Sequence, residues 1–227
     1  MRNTILIVAA HPDDEVLGCG GVITKLVQQG ASVHVAILGE GVTSRYKKRK
    51  GILQGKELKK LKEYIEKASI VLGVTKTWVF NFPDNRFDTV ALLDIVKAIE
   101  VVKKKVKPEI VYTHHGNDLN IDHRIVYSAV LTACRPVKGE TVRKIYSFEV
   151  LSATEWNHPN FFSPNVYIDI SGFINKKIEA MKVYKSEIKQ WPHPRSEEAL
   201  RVLAQKRGYE VGLNFAEAFE LVREIES

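Results

Sequence analysis

Along the first half of the chain, short apolar runs alternate with longer segments of helical spacing. Ile5 to Ala10 is continuously apolar, the pattern of a strand covered on both faces, as in a parallel sheet. After the polar turn His11-Pro12-Asp13-Asp14-Glu15, the residues Val16, Leu17, Val22, Ile23, Leu26 and Val27 recur at helical spacing as far as Gly30, which is placed to stop a helix. The alternation continues with a strand over 32–38, a helix over 53–72 ending at Gly73, a strand over 77–80, a helix over 90–106, a strand over 110–113 and a helix over 123–134. Repeated strand and helix predicts an α/β fold, with a Rossmann-like, largely parallel sheet flanked by helices.

Beyond Pro136 the pattern loosens. It predicts a strand over 144–150, a loop rich in aromatics and prolines over 156–164, a strand over 166–170, and helices over 173–189 and 197–207. This half is expected to finish the sheet and to wall the site. No repeat, low-complexity tract or linker interrupts the chain, so a single domain spanning 1–227 is expected. That length suits one hydrophobic core.

Composition narrows the classes. The 34 basic side chains exceed the 27 acidic ones, giving a net charge of +7, which suits an anionic or phosphate-bearing partner. The densest basic run is Arg45 to Lys62, and such runs are usually solvated faces. The two cysteines, Cys19 and Cys134, are too few for a disulfide framework and suit a reducing compartment, so a cytoplasmic location is expected. The apolar run Thr4 to Ala10 is too short to span a bilayer and leads straight into charged residues, so neither an export signal nor a transmembrane segment is expected.

Open α/β sheets bind ligands beyond the carboxyl ends of their strands, where the strand order reverses. Two polar clusters fall at such ends: His11 to Glu15 after the first strand, and His114-His115-Gly116-Asn117-Asp118-Leu119-Asn120-Ile121-Asp122-His123 after the strand ending at Thr113. If those strands are neighbours, an imidazole and a carboxylate from one turn meet an imidazole from the other around a single cation. Two histidines and a carboxylate are the ligand set of an open catalytic zinc site. Successive side chains leaving a strand point different ways, so one of Asp13 and Asp14 can ligate while the other faces the water. A zinc-bound water has a pKa near about 7, and a neighbouring carboxylate can take its proton for amide or ester hydrolysis.

With Leu17-Gly18 and Gly20-Gly21 following, and Asp122-His123 later, the stretch Ala9 to Glu15 resembles the PIG-L/LmbE-like zinc-dependent N-deacetylases over residues 4–133. The resemblance implies an LmbE-like fold and removal of an acetyl group from N-acetylglucosamine-like units. It implies that His11, Asp14 and His123 hold one Zn2+ per chain and that Asp13 is the general base. It places Asp84, with its neighbour Asn85, near the sugar hydroxyls. The family often carries a histidine three positions before the second metal histidine, where this chain has Asn120. An asparagine can donate to an oxyanion but supplies neither charge nor proton. Either Asn120 does the reduced catalytic job, or His193 or His115 enters the site. Trp156 is a candidate to stack on a sugar, and Arg195 and Arg45 are candidates to hold a substrate anion.

Simpler readings exist for each residue. Asp13 and Asp14 can cap the following helix, Asp122 can cap the His123 helix or brace a ligand, and His34 fits a packed strand. The glycines 18, 20 and 21 lack dinucleotide spacing, and the acidic turn would repel a pyrophosphate. The expectation is therefore a hydrolase acting on a small N-acetylated amino sugar, free or linked to phosphate, nucleotide or lipid; a homo-oligomer is compatible with the sequence. Two rivals are a glycosyltransferase holding a nucleotide sugar through a harder cation, and a basic nucleic-acid-binding module. The histidines oppose the first, and the absence of a recognised motif opposes the second.

Overall fold

The computed structural model describes residues 3–41, 52–159 and 161–226. Seven strands form one sheet in the order β3-β2-β1-β4-β5-β7-β6: β1 Thr4–Ala9, β2 Ser32–Gly39, β3 Lys76–Phe82, β4 Ile110–His114, β5 Lys144–Phe148, β6 Val166–Asp169 and β7 Ala216–Glu224. The first five pair in parallel, whereas β7 runs antiparallel to both β5 and β6. The helices are α1 Asp14–Gln28, α2 Ile52–Leu72, α3 Leu92–Val106, α4 Ile121–Ala133, α5 Ile174–Val183 and α6 Glu197–Tyr209.

The continuous apolar run of β1 is explained by its place. It pairs with β2 on one side and β4 on the other, and Ile5 to Ala10 are fully buried. Odd positions of β1 pack with α1, α2 and α5, and even positions with α3 and α4, so alternate residues enter two separate cores. Complete burial of one such aliphatic side chain contributes roughly 1.5–3 kcal/mol. The strand order reverses between β1 and β4, which brings the two polar clusters to one crevice.

Small residues let α1 sit close to the sheet. A Cβ on Gly18 would lie 2.3 Å from Phe148 Cδ2, and one on Gly21 would lie 2.8 Å from Ile170. The same thin face admits a buried ion pair. Lys177 Nζ donates to Glu217 Oε1 at 2.6 Å and to the Leu17 carbonyl at 2.7 Å, while the Glu217 carboxylate accepts the Gly21 and Val22 N–H groups at 2.9 and 2.7 Å.

Differences from the sequence expectation lie in the second half. No expectation covered strand β7, whose Glu217 is buried against α1. Strand β5 ends at Phe148, not at 150, and α5 ends at Val183, not at 189, where the chain turns through Tyr184 into a loop. Lys189 N–H donates to the Arg195 carbonyl at 3.1 Å and closes that loop. Arg45 and most of the basic run before Ile52 lie outside the described residues.

Candidate metal and catalytic centre

The end of β1 delivers His11, and the next residues turn sharply into α1. Asp13 has φ 103° and ψ −25°, a left-handed conformation that costs a non-glycine residue about 1–3 kcal/mol. Neighbouring bonds hold it there: Asp13 N–H donates to Glu15 Oε2 at 3.0 Å, and Tyr184 from beyond α5 donates its hydroxyl to Glu15 Oε1 at 2.6 Å. The result is that two consecutive carboxylates diverge. Asp14 points between His11 and His123, and Asp13 points to Arg195.

Asp14 Oδ2 accepts the His11 backbone N–H at 2.8 Å and lies 3.4 Å from His11 Nδ1 and 3.3 Å from His123 Nε2. Its Oδ1 is buried without a hydrogen-bond partner among the described residues. The far nitrogens of the two histidines face carboxylates. His11 Nε2 is 2.9 Å from Asp122 Oδ2 and 3.2 Å from Asp84 Oδ1, and His123 Nδ1 is 3.2 Å from Asp118 Oδ1. Asp122 is braced by the Asn85 and Phe87 N–H groups at 2.7 and 2.9 Å, and Asp118 by the Thr154 hydroxyl at 2.5 Å and the Asn120 N–H at 2.8 Å. Such braces fix ring orientation and tautomer in metal-ligating histidines.

Electrostatics follows from this crowding. Burial alone would lower His11, but hydrogen bonds to Asp122 and Asp14 raise it to about 10. Burial likewise opposes protonation of His123, and Asp14 and Asp118 outweigh it to bring that group to about 9. Burial resists the charge on Asp14, yet the charged His123 and a hydrogen bond with His11 hold its carboxyl well below the usual range. Burial pushes Asp13 well above the usual range, against the Arg195 guanidinium and with the help of Asp14.

His114 stacks on His123 with ring centroids 3.9 Å apart. Its Nε2 accepts the Ala10 N–H at 2.8 Å, and burial together with the His123 charge lowers its pKa well below the ordinary value. A neutral ring whose lone pair already accepts a backbone N–H has no nitrogen to offer an ion.

Among the described residues, two groups of side chains could hold a metal ion, His11 with Asp14 and His123, and His11 with Asp84 and Asp122. Both oxygens of Asp122 already accept backbone N–H groups. The first group has the unpartnered Asp14 Oδ1 and two imidazoles, and that donor set suits zinc.

The remaining candidates are placed as follows. Asn120 caps α4: its Oδ1 accepts the Asp122 N–H at 2.8 Å and its Nδ2 donates to Asn85 Oδ1 at 3.0 Å. Asn85 donates its amide to Asp84 at 3.2 Å. His115 is buried away from this cluster, with Nδ1 2.9 Å from Glu220 Oε2 and its ring edge-on to Phe162. Trp156 is 49% exposed on the loop after β5, where Asn157 anchors to the Asn117 carbonyl at 2.6 Å. His193 Nδ1 accepts the Arg195 N–H at 3.0 Å. Arg195 Nη1 donates to Asp13 Oδ2 at 2.8 Å and to Glu187 Oε2 at 3.2 Å, so in this structure its anionic partners come from the protein. Sequence reasoning missed Asp118, Glu187 and Tyr184 as parts of the site, and expected one of His114 and His115 to face it, which is His114. The nearness of Asp118 to His123 was the one local signal; the others depend on tertiary contacts.

The doubly wound sheet thus carries, at its switch point, a two-histidine, one-carboxylate cluster that could hold a metal ion. The GlcNAc-PI de-N-acetylase (PIG-L) family model matches residues 6–134, and the chain belongs to this family; it is an enzyme of the deacetylase class, a hydrolase of amide C–N bonds. It is 30% identical over 197 residues to an uncharacterized deacetylase, YaiS, of Escherichia coli, covering 82% of this chain and 92% of the relative. It is 27% identical to a diacetylchitobiose deacetylase of Thermococcus kodakarensis, covering 96% of this chain and 82% of the relative. The fold matches the N,N'-diacetylchitobiose deacetylase of Pyrococcus horikoshii with a TM-score of 0.76 at 20% identity, covering 96% and 83% of the two chains. It also matches a 4-carboxy-2-hydroxymuconate hydratase of Pseudomonas putida with a TM-score of 0.74 at 23% identity, covering 100% and 98%. Fold alone therefore does not name the reaction.

Proposed function

We propose that the chain removes the acetyl group from an N-acetylated amino sugar, with one zinc ion held by His11, Asp14 and His123. The observation that carries this reading is the divergence of adjacent carboxylates, Asp14 between two imidazoles and Asp13 beside them on Arg195. When bound, the ion supplies Lewis-acid polarisation of the amide carbonyl and a lowered pKa for water. Asp13 takes a proton from the attacking water and returns it to the amine nitrogen as the carbon–nitrogen bond breaks. Water and amide thus become acetate and a free amine. Asn120 keeps a second amide N–H besides the one given to Asn85, and it is the neutral donor offered to the carbonyl oxygen as negative charge develops there. His115 takes no part in this reading, since its ring packs toward Glu220.

The substrate class follows the relatives, several of which are named for diacetylchitobiose or N-acetylglucosaminyl-malate. Asp84 and Asn85 stand beside His11 to meet sugar hydroxyls, and Trp156 offers an exposed ring on the neighbouring loop. No helix among the described residues is long and apolar enough to cross a membrane. The net charge of +7 favours phosphate-, nucleotide- or lipid-diphosphate-linked forms over the free sugar.

The test is acetate release from free, nucleotide-linked and lipid-linked N-acetylamino sugars by zinc-loaded protein. Release from one class supports the reading and names the carrier. Binding of a nucleotide sugar with manganese or magnesium and no acetate release would instead support the glycosyltransferase alternative.

A further inference from the structure

Asp13 is a carboxylate in an exacting position. Its backbone is left-handed, its side chain is 2% exposed, and Asp14, Glu15 and Glu187 act on it as further negative charges. Among the described residues a single side chain donates to its carboxylate, Arg195 through Nη1 to Oδ2 at 2.8 Å. The guanidinium is itself held at several points. Nε donates to Ser152 Oγ at 2.8 Å, and Nη1 also reaches Glu187 at 3.2 Å. The Arg195 N–H donates to His193 Nδ1 at 3.0 Å, and the Arg195 carbonyl accepts from Lys189 at 3.1 Å. Ser152, like Asp13, has a positive φ, of 70°. Two strained residues from distant parts of the chain therefore meet through one arginine. A surface ion pair needs no such anchoring, because exposed pairs contribute little and are readily rearranged.

We propose that Arg195 is a positioning residue for Asp13: anchored by Ser152, Glu187 and the His193 loop, it holds Oδ2 so that Oδ1 stays turned to the reacting water. This rests on the reading of Asp13 as the proton-transferring carboxylate. The planar fork is essential to the argument. Nε and Nη1 lie at a fixed distance from each other in one plane, so fixing Nε on Ser152 fixes where Nη1 meets Asp13. A lysine offers one ammonium and cannot make both bonds in that geometry. His193 has its place in the same device, as the acceptor that orients the Arg195 backbone.

The test compares zinc-loaded wild type with Arg195→Gln, Arg195→Lys and Ser152→Ala. Removing a group that orients a reacting side chain costs about 10- to 100-fold, and the expected result is a fall of that size in kcat for Arg195→Gln with KM and zinc content unchanged. Arg195→Lys should recover only part of the loss, and added guanidinium should partly restore Arg195→Gln. Ser152→Ala should give a smaller loss that is not additive with Arg195→Gln, because both act through one contact. Unchanged kcat, an effect confined to KM, or zinc lost in step with activity would overturn the proposal. Crystal structures of zinc-loaded wild type and Arg195→Gln give a readout independent of turnover. Displacement of the Asp13 carboxylate with His11, Asp14 and His123 in place supports the proposal; an unmoved Asp13 overturns it. An inert wild type together with a displaced Asp13 would reject the deacetylase reading and leave the positioning role standing.

Discussion

The two consecutive aspartates are served by different halves of the molecule. Asp14 lies in a cradle made by β1, α1 and α4, all from the first 133 residues, whereas the side chain of Asp13 is met by Arg195 and, through Arg195, by Ser152 and Glu187 from the second half. The cradle is short-range in sequence at the His11-Asp14 end and closed by one helix. The backbone of Asp13 is held locally by Glu15, whereas its side chain is met by the long-range contact from Arg195. On the proposed reading, this separates two tasks, holding an ion and holding a base, between a regular βαβ framework and a loop-rich cover.

The largest effect that would sharpen this comparison concerns the packing of the second half against α1. Lys177→Met leaves the Glu217 carboxylate buried against Gly21 and Val22 without its ammonium partner, and a broken buried pair costs about 3–5 kcal/mol. Denaturant unfolding should register that loss. A loss near zero would mean that β7 and α5 do not brace α1 through this pair.

A smaller effect isolates the cradle. Asp118→Asn removes the negative charge facing His123 Nδ1 while keeping a group that can accept from Thr154, and zinc affinity should weaken by about 10- to 100-fold. Competition with a chelator measures it. Unaltered affinity would remove Asp118 from the account.

Protonation gives the smallest and most diagnostic signal. His11 and His123, raised to about 10 and about 9, are charged at pH 7 in the metal-free protein, so zinc binding should release about two protons per ion, read from the buffer dependence of the calorimetric heat. The sign for stability follows. Both folded-state values lie above the ordinary 6.5, so their contribution to the metal-free fold is complete below about pH 6.5 and is lost as pH rises through 9 to 10. Melting of the chelator-treated protein across that window should show the decline. A flat profile would place neutral histidines in the metal-free cluster.

The legible parts of the molecule were those governed by local pattern. The run Ile5 to Ala10 reads as a central strand because both of its faces are buried, and His11, Asp14 and His123 come together because β1 and β4 are neighbours at the switch point. The illegible parts had charged residues in buried places. Glu217 hid β7, since a glutamate inside a strand signals solvent unless its lysine partner and two backbone donors are known. Arg195 and His115 stood in polar loops that suggested substrate contact, and the structure gives them Asp13 and Glu220. Asp122 braces His11, and it is Asn120, not Asp122, that caps α4. No periodicity reports such partners, because each is at least 40 residues away in sequence or set by the shape of one loop.

The central claim is that adjacent carboxylates have separate tasks, and the most direct measurement is zinc content and acetate release of Asp13→Asn and Asp14→Asn side by side. The account predicts that Asp14→Asn loses both zinc and activity, while Asp13→Asn keeps zinc and falls in kcat by about 10²- to 10⁴-fold. Zinc lost from Asp13→Asn, or full zinc retained by Asp14→Asn, would contradict it.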